Sequence, residues 1–459
     1  MQPEILNLDA TELVARFRKR ELSPVEAISA VLERAEATQT TLNAFIVIGR
    51  DAALAAARES EKRWRAGAPL GGLDGVPVSI KDNVYAHGWP TRFGSLAIAE
   101  SDTRGPDSPC VARLHEAGAV IFGKTTLPDY AHKIVTDSPL TRITRNPWNP
   151  AHSPGGSSGG AAAAVASGIG PLAVGTDGGG SIRVPAAWSG IYGLKPSFGR
   201  VPHHPRGAFP TVSHIGPMTR SVRDAAAMLD IMSRPDPHDW YALPYDSADY
   251  TADIDRGIDG LRVAVSDDLG MGVDIEPEIA ASVRAAFKVA ESLGAQIEAD
   301  HPAEIPACAD VHRVHWFSFS ARLGRKLSER VSQLDPSMQA LVQMGEKLPA
   351  GAFVDAVVAR GDLASRINIF FERYDLLLAP VMNISAPEIA SLDPANPPFP
   401  TLTSWVNQAG LPAASVPCGL TSAGLPIGLQ IIAGPRADAL VLRASYALEQ
   451  ALGRLKLPR

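Results

Sequence analysis

Cysteine is scarce in this chain. Three occur in 459 residues, Cys110, Cys308 and Cys418, odd in number and far apart. That argues against a disulfide framework and points to reduced thiols, as in a cytoplasmic protein. Long apolar runs are missing as well: the alanine-rich stretch 161–173 is broken by Ser167, Gly168, Gly170 and Pro171, so no membrane span is expected. Met1 to Ala10 carries acids and no apolar core, unlike a secretory leader. Nor is there a basic block. The 43 Lys and Arg are outnumbered by 49 Asp and Glu, for a formal net charge of -6, so nucleic acid is not an expected partner.

What is present is ordinary in bulk, with 45% hydrophobic and 20% charged residues, as in a soluble globular protein. Ser23-Pro24-Val25-Glu26 combines an N-cap serine, a proline at the first helical position and a capping-box glutamate. Ile28, Val31, Leu32 and Ala35 follow at helical spacing. A helix from Ser108 to Gly118 and a buried strand over Ala119 to Phe122 come next. The unit recurs as a strand over Leu261 to Val265, then a helix marked by Ile279, Val283, Phe287 and Ala290 and ended by Gly294. Arg234 to Asp259 is rich in Pro, Asp and Tyr and reads as a long surface connection. Ala307 to Phe371 is mainly helical. Leu376–Leu378, Ala414–Val416 and Gly428–Ile432 are candidate strands. This alternation predicts an α/β layer architecture.

Three patterns promise chemistry that their context withholds. Gly118-Ala-Val-Ile-Phe-Gly-Lys124-Thr125 fits the phosphate-loop spacing, but its interior is a strand sequence and its first glycine ends a helix. Gly155-Gly-Ser157-Ser-Gly159 fits the nucleophile elbow, which needs a strand just before the serine. The preceding Asn146 to Pro154 contains three prolines and cannot be a central strand. Cys308, His312 and His315 share helical spacing, yet supply neither four ligands nor a H-E-x-x-H motif, so packed or surface histidines are expected.

The densest glycine stretch holds two serines, Ser157 in Gly155-Gly-Ser-Ser-Gly-Gly160 and Ser181 in Gly178-Gly-Gly-Ser-Ile-Arg183. Glycines before Ser181 leave backbone N–H groups free to converge on an oxyanion. A tight turn that happens to contain serine is the plainer reading of the same residues. Asp177 and Arg183 flank the loop and are expected to brace it. Lys81 lies in the apolar run Val76-Pro-Val-Ser-Ile-Lys81. Burial would lower its pKa and allow a neutral amine base, whereas pairing with Asp82 would make it an ordinary surface lysine.

Pro154 to Pro196 resembles the signature of the amidase signature family. The matching residues include Ser157, Ser158, Gly168, Pro171, Gly175-Thr-Asp177, Gly179-Gly-Ser181-Ile-Arg183, Pro185, Gly190 and Gly193-Leu-Lys-Pro196. Gly75 to Asp82, Asn146-Pro-Trp148 and Gly424 to Gln430 extend the resemblance to nearly the whole chain. It implies a large mixed, mostly central β-sheet covered by helices on both faces. It also implies a Ser–cis-Ser–Lys triad, with Ser181 as nucleophile, Ser157 as bridging serine after a cis Gly156–Ser157 bond, and Lys81 as base. The oxyanion hole would be the N–H groups of Gly178, Gly179, Gly180 and Ser181. Lys195 matches a family position but is not the base. No cofactor and no metal is implied.

On this resemblance residues 1–459 form one amidase domain. Its parts are a helical 1–68, a core over 69–233, the connection 234–259, and 260–459 completing the sheet. A variable helical region for substrate lies at about 305–372. The A-type component of the glutamine-dependent tRNA amidotransferase typically carries Gly-Ser-Ser-Thr-Glu-Asn-Ser before the Asn-Pro-Trp. This chain has Ala131-His-Lys-Ile-Val-Thr-Asp-Ser138 there, which favours a free-standing hydrolase, monomeric or homodimeric. His132, Lys133 and Thr136 in that loop are candidate substrate contacts. Trp316, Phe317, Phe319 and Trp405 are candidates for an apolar pocket, although core packing explains aromatic residues as well. The expected substrate is a small aryl or medium-sized apolar amide, or a carbamate or urea-like compound, cleaved with water.

Overall fold

The computed structural model describes residues 2–99, 101, 103–244, 249–393, 397–399 and 401–458. Eleven strands form one sheet: β1 (Phe45–Ile48), β2 (Pro77–Lys81), β3 (Val120–Thr125), β4 (Leu172–Asp177), β5 (Tyr192–Lys195), β6 (His214–Thr219), β7 (Arg262–Val265), β8 (Gln296–Ala299), β9 (Leu376–Pro380), β10 (Ala413–Leu420) and β11 (Pro426–Ala433). Their spatial order is β1-β3-β2-β4-β6-β5-β10-β11-β9-β7-β8. The middle is antiparallel, from β4–β6 through β11–β9. Parallel pairs flank it, with β2 between β3 and β4 on one side and β7 between β8 and β9 on the other. The sheet is mixed, with helices on both faces.

Alternation along the strands explains the two layers, since successive side chains point to opposite faces. On β4, Leu172 and Val174 join the largest core, while Ala173 joins a second core with the helix Gly159–Ala166. On β11, Ile431 faces the first core and Ile432 a third, built on Trp405, Val406 and Ile367. A strand buried on both faces must be apolar throughout, which is why these read as continuous hydrophobic runs.

Local signals in the sequence find their elements. Ser23 caps the helix Pro24–Leu42, its Oγ accepting the Glu26 N–H at 3.1 Å while Glu26 returns to the Ser23 N–H at 2.8 Å. The helix Pro109–Glu116 ends before Gly118, whose φ is +81°, and β3 follows. The last two residues of the phosphate-loop pattern are thus strand residues, and Lys124 is buried beside Asp82 at 3.6 Å. The region 305–372 is helical over Ile305–Leu327, Pro336–Glu346 and Ala352–Arg373.

The connection 234–259 is more than surface. Residues 245–248 lie outside those described, and Trp240 is 81% exposed. Tyr250, Ile254 and Ile258, however, are buried in the main core, and buried Asp239 takes both Arg206 Nη2 contacts at 2.8 Å. Periodicity does not reveal such anchors because each is a single residue in irregular chain. The three cysteines are unpaired, and among the described residues no helix is long and apolar enough to cross a membrane.

Candidate active site

Lys81 ends β2, with Val78 and Ile80 fixed in the core on the opposite pleat. It is fully buried. Its Nζ lies 2.7 Å from Ser157 Oγ, 2.9 Å from Ser158 Oγ and 2.9 Å from Thr176 Oγ1. The pairing with Asp82 does not occur. Asp82 instead accepts the N–H groups of Arg92 and Gly94 and faces Lys124. Burial holds the Lys81 pKa well below the ordinary lysine value, with Asp177 opposing from nearby.

The three shorter contacts accommodate a neutral amine, and a fourth, to the Thr176 carbonyl, is longer at 3.3 Å. Ser158 Oγ donates to the Thr176 carbonyl at 3.1 Å, so toward Lys81 it accepts. A neutral lysine has two N–H donors and one lone pair. If Ser158 Oγ and Thr176 Oγ1 take the donors, the lone pair is left for the hydroxyl of Ser157.

The Gly156–Ser157 peptide is cis. Gly155 has a φ of +87°, open to glycine, and a Cβ on Gly156 would lie 2.7 Å from the Ile134 carbonyl carbon. Thr136 braces this loop rather than a substrate: its Oγ1 donates to the Gly155 carbonyl at 2.8 Å and accepts the Gly159 N–H at 3.1 Å. The two serine loops are joined where the Ser158 N–H donates to the Ser181 carbonyl at 3.1 Å. Ser157 is 1% and Ser181 6% exposed, so Ser181 is the more open to a ligand.

Ser181 follows β4 and precedes the helix Arg183–Ser189. Asp177 and Arg183 brace the loop, as their flanking positions suggest. One correction concerns the expected oxyanion donors. The Gly180 N–H donates to Asp177 Oδ1 at 2.7 Å and is turned away from any ligand. The side chain of Thr403 fixes the same segment, donating to the Gly179 carbonyl at 2.6 Å and filling the space where a Gly180 Cβ would project. Among the described residues, no acceptor is recorded for the N–H groups of Gly178, Gly179 or Ser181.

Ser181 borders two hollows. One, of about 260 Å³, is lined by Ile134, Trp316, Phe317, Leu341, Met344 and Phe399 with His132, Lys133 and His312. The other, of about 20 Å³, includes Asn83, Ser157, Thr176, Gly178 and again Trp316. A more open hollow of about 790 Å³ lies between residues 6–37 and 454–458 and includes none of the serine-loop residues.

Of the sequence candidates, His132, Lys133, Trp316 and Phe317 thus reach the pocket. Trp405 does not. It is 1% exposed in the core beneath, its Nε1 donating to the Leu402 carbonyl at 3.1 Å. Phe319 packs on Phe209 and Phe353 instead. Lys133 is a paired charge, 2.7 Å from Asp137 and 3.1 Å from Asp335. His132 Nδ1 lies 2.6 Å from the Asp129 carbonyl and Nε2 2.6 Å from Ser337 Oγ; burial, then Lys133, lowers its pKa to about 4. The pocket therefore presents no unpaired charge from this loop. Cys308, His312 and His315 do share a helix but part ways. Cys308 joins the core, His312 meets Gln408 at 2.9 Å, and His315 Nδ1 bonds the Val311 carbonyl at 2.8 Å. Lys195 is buried and bonds the carbonyls of Leu411 and Pro196, away from the serines.

A family model described as Amidase matches residues 26–442. The chain belongs to the amidase signature family. An acylamidase from Rhodococcus erythropolis is 36% identical over 455 residues, spanning 96% of this chain and 95% of that protein. The A-type component of the glutamyl-tRNA(Gln) amidotransferase of Chloroflexus aurantiacus is 35% identical, with 97% of each covered. A bacterial aryl acylamidase of the amidase signature family superposes with a TM-score of 0.88 at 31% identity, covering 97% of this chain and 96% of that one. The 6-aminohexanoate cyclic dimer hydrolase gives 0.90 at 30%, with 99% of each covered. The amidase fold thus spans both halves of the sheet. Several residues of the site carry little signal in the sequence. Ser158 and Thr176 stand inside the quoted motifs without an assigned role. Asn83 lies two residues past Lys81. Asn407 has no motif at all.

Proposed function

We propose that this amidase family member hydrolyses the C–N bond of carboxamides through an acyl-enzyme on Ser181, with Ser157 as proton relay and Lys81 as base. The observation that carries the reading is the 2.7 Å contact between Lys81 Nζ and Ser157 Oγ, made by a fully buried lysine. A neutral Lys81 takes the Ser157 proton while Ser157 takes that of Ser181. Ser181 Oγ attacks the carbonyl carbon, and the N–H groups of Gly178, Gly179 and Ser181 hold the oxyanion. The C–N bond breaks as Ser157 returns a proton to the nitrogen. Water then adds by the same relay and releases the acid. Side chains, backbone N–H groups and water carry all of these steps.

The apolar pocket beside Ser181 supports an apolar acyl group, and carbamates and urea-like compounds present the same C–N bond. Ser181→Ala should abolish turnover, and a serine-reactive probe should label Ser181 in the unmutated protein. Wild-type rates in Ser181→Ala would sink the assignment. The identity to amidotransferase A-type components supports a second reading, glutamine hydrolysis within a complex. The loop 131–138 and its paired Lys133 weigh against it, since a glutamine α-carboxylate seeks a free cation. A glutaminase assay separates the two.

A further inference from the structure

We infer that Asp82 and Lys124 are positioning residues for the reaction, a buried pair that grips residues 90–94 and so fixes Phe93 and Tyr130 as one wall of the hollow shared by Ser157 and Ser181. For the use of that wall the inference rests on the Ser181 reading above. Asp82 directly follows Lys81 and, by strand alternation, points the other way. Lys81 meets Ser157 at 2.7 Å, whereas Asp82 meets Lys124 at 3.6 Å. Lys124, the lysine of the phosphate-loop spacing, comes from the neighbouring strand β3. Both side chains are fully buried. Burial works against each charge, and each partner offsets that in the other. A buried pair adds little net stability by itself. What this one adds is a hold on a turn.

Every residue from 90 to 94 is held. Lys124 Nζ donates to the Pro90 carbonyl at 3.2 Å and to Thr91 Oγ1 at 2.8 Å. The Arg92 and Gly94 N–H groups donate to Asp82 Oδ2 at 3.1 and 3.2 Å. Between them the Phe93 N–H donates to the Asp82 carbonyl at 3.3 Å. Phe93 is thereby kept at a φ of +54°, uncommon for a residue with a side chain and persistent only where the surroundings impose it. Its carbonyl then takes the Tyr130 N–H at 2.8 Å, and the two rings stack with centroids 5.5 Å apart. Tyr130 and Ala131 also have positive φ, +48° and +62°.

Phe93, Tyr130 and Ala131 line the hollow that includes Ser157 and Ser181. Asp82 and Lys124 line neither hollow at Ser181, so the pair meets a substrate only through this wall. A wall that shifts loosens the substrate and misplaces its carbonyl, and small misplacements are expensive in rate.

Asp82→Asn tests the inference, since it removes one charge at nearly constant shape. Amide hydrogen exchange at residues 92–94 should quicken by about tenfold or more, the scale of one lost hydrogen bond to a charged group, while β4 keeps its protection. KM should rise by a similar factor for whichever of acetanilide, phenylacetamide and hexanamide is turned over fastest. The limiting rate at which a fluorophosphonate labels Ser181, taken on the pH plateau, should hold. Partial unfolding would instead lower kcat and labelling together and leave KM alone. Phe93→Ala, which keeps both charges, should raise KM in the same way. If Asp82→Asn does not fold, the double variant Asp82→Asn with Lys124→Met leaves no buried charge and takes its place. Unchanged exchange at 92–94 in a folded variant overturns the inference. So does a loss confined to kcat, which would mean that the pair acts through Lys81. An unmutated protein whose Ser181 stays unlabelled would bring down the catalytic reading, and the exchange result would still decide whether the pair holds the turn.

Discussion

Asp177 and Arg183 form a fully buried, two-pronged pair beneath the Ser181 loop, Nε to Oδ2 and Nη2 to Oδ1, each at 3.0 Å. Burial pushes the Asp177 carboxyl up, but Arg183 outweighs it and leaves the group below the usual carboxylate range. Asp177 also orients the Gly180 and Ile182 N–H groups. Arg183 reaches Asn407 Oδ1 at 2.6 Å and Gln430 Oε1 at 2.7 Å, tying the loop to the far half of the sheet. Asp177→Asn keeps the shape and leaves a buried cation without its counter-charge. Breaking such a pair typically costs about 3–5 kcal/mol. A lowered urea midpoint with weakened turnover is expected, and an unchanged midpoint would mean that the pair does not brace the loop.

The second prediction concerns pH. A protonated Lys81 has no lone pair for Ser157, so activity requires the neutral amine. Its folded pKa lies well below the ordinary 10.5, chiefly through burial. The rate should therefore rise with pH through that lowered pKa and already be high well below pH 10.5. Lys81→Arg keeps a charge that does not titrate in this range and should be inactive at every pH. A kcat/KM profile whose only acid limb falls at the ordinary lysine value would contradict a neutral base.

Ser158 separates a relay from a support. Ser157→Ala removes the proton path and should cost several orders of magnitude in kcat. Ser158→Ala removes an acceptor for one Lys81 N–H and for the Thr176 N–H, and the donor to the Thr176 carbonyl. Leaving a buried donor unpaired costs about 1–3 kcal/mol, hence roughly a ten- to hundredfold loss. Because an unpaired N–H destabilises the charged lysine too, the acid limb of the rate profile should also move. Equal losses in the two variants would mean that both serines carry protons.

Legibility in the sequence follows distance along the chain. Lys81, Ser157 and Ser181 stand in short motifs whose glycines and apolar neighbours dictate local shape. The structure brings Lys81 and Ser157 together and seats Ser157 and Ser181 on one narrow hollow. The strands buried on both faces are equally plain, as continuous apolar runs. Asn407 is different. It meets Asp177 from 230 positions away, and nothing near residue 407 announces it. Gly180 reads as an oxyanion donor because three glycines look alike in sequence. Which N–H is free depends on the direction taken by the Asp177 side chain. Thr136 presents the same difficulty, since a loop next to a pocket points some side chains inward and others back at its own support.

The two tryptophans give the last prediction, because sequence alone puts Trp316 and Trp405 in one pocket. Trp405 is core. It packs with Leu377, Leu402 and Ile432 beneath the Thr403 segment that holds Gly179. Truncating a buried aromatic to alanine typically costs about 3–5 kcal/mol. Trp405→Phe, the milder change, loses the bond to the Leu402 carbonyl and part of the ring. It should lower the urea midpoint while leaving the ranking of amide substrates as it is in the unmutated protein. Trp316→Phe should do the reverse, because that ring lies against the ligand hollows and is only partly buried. A changed ranking in Trp405→Phe with no loss of stability would return Trp405 to the substrate pocket.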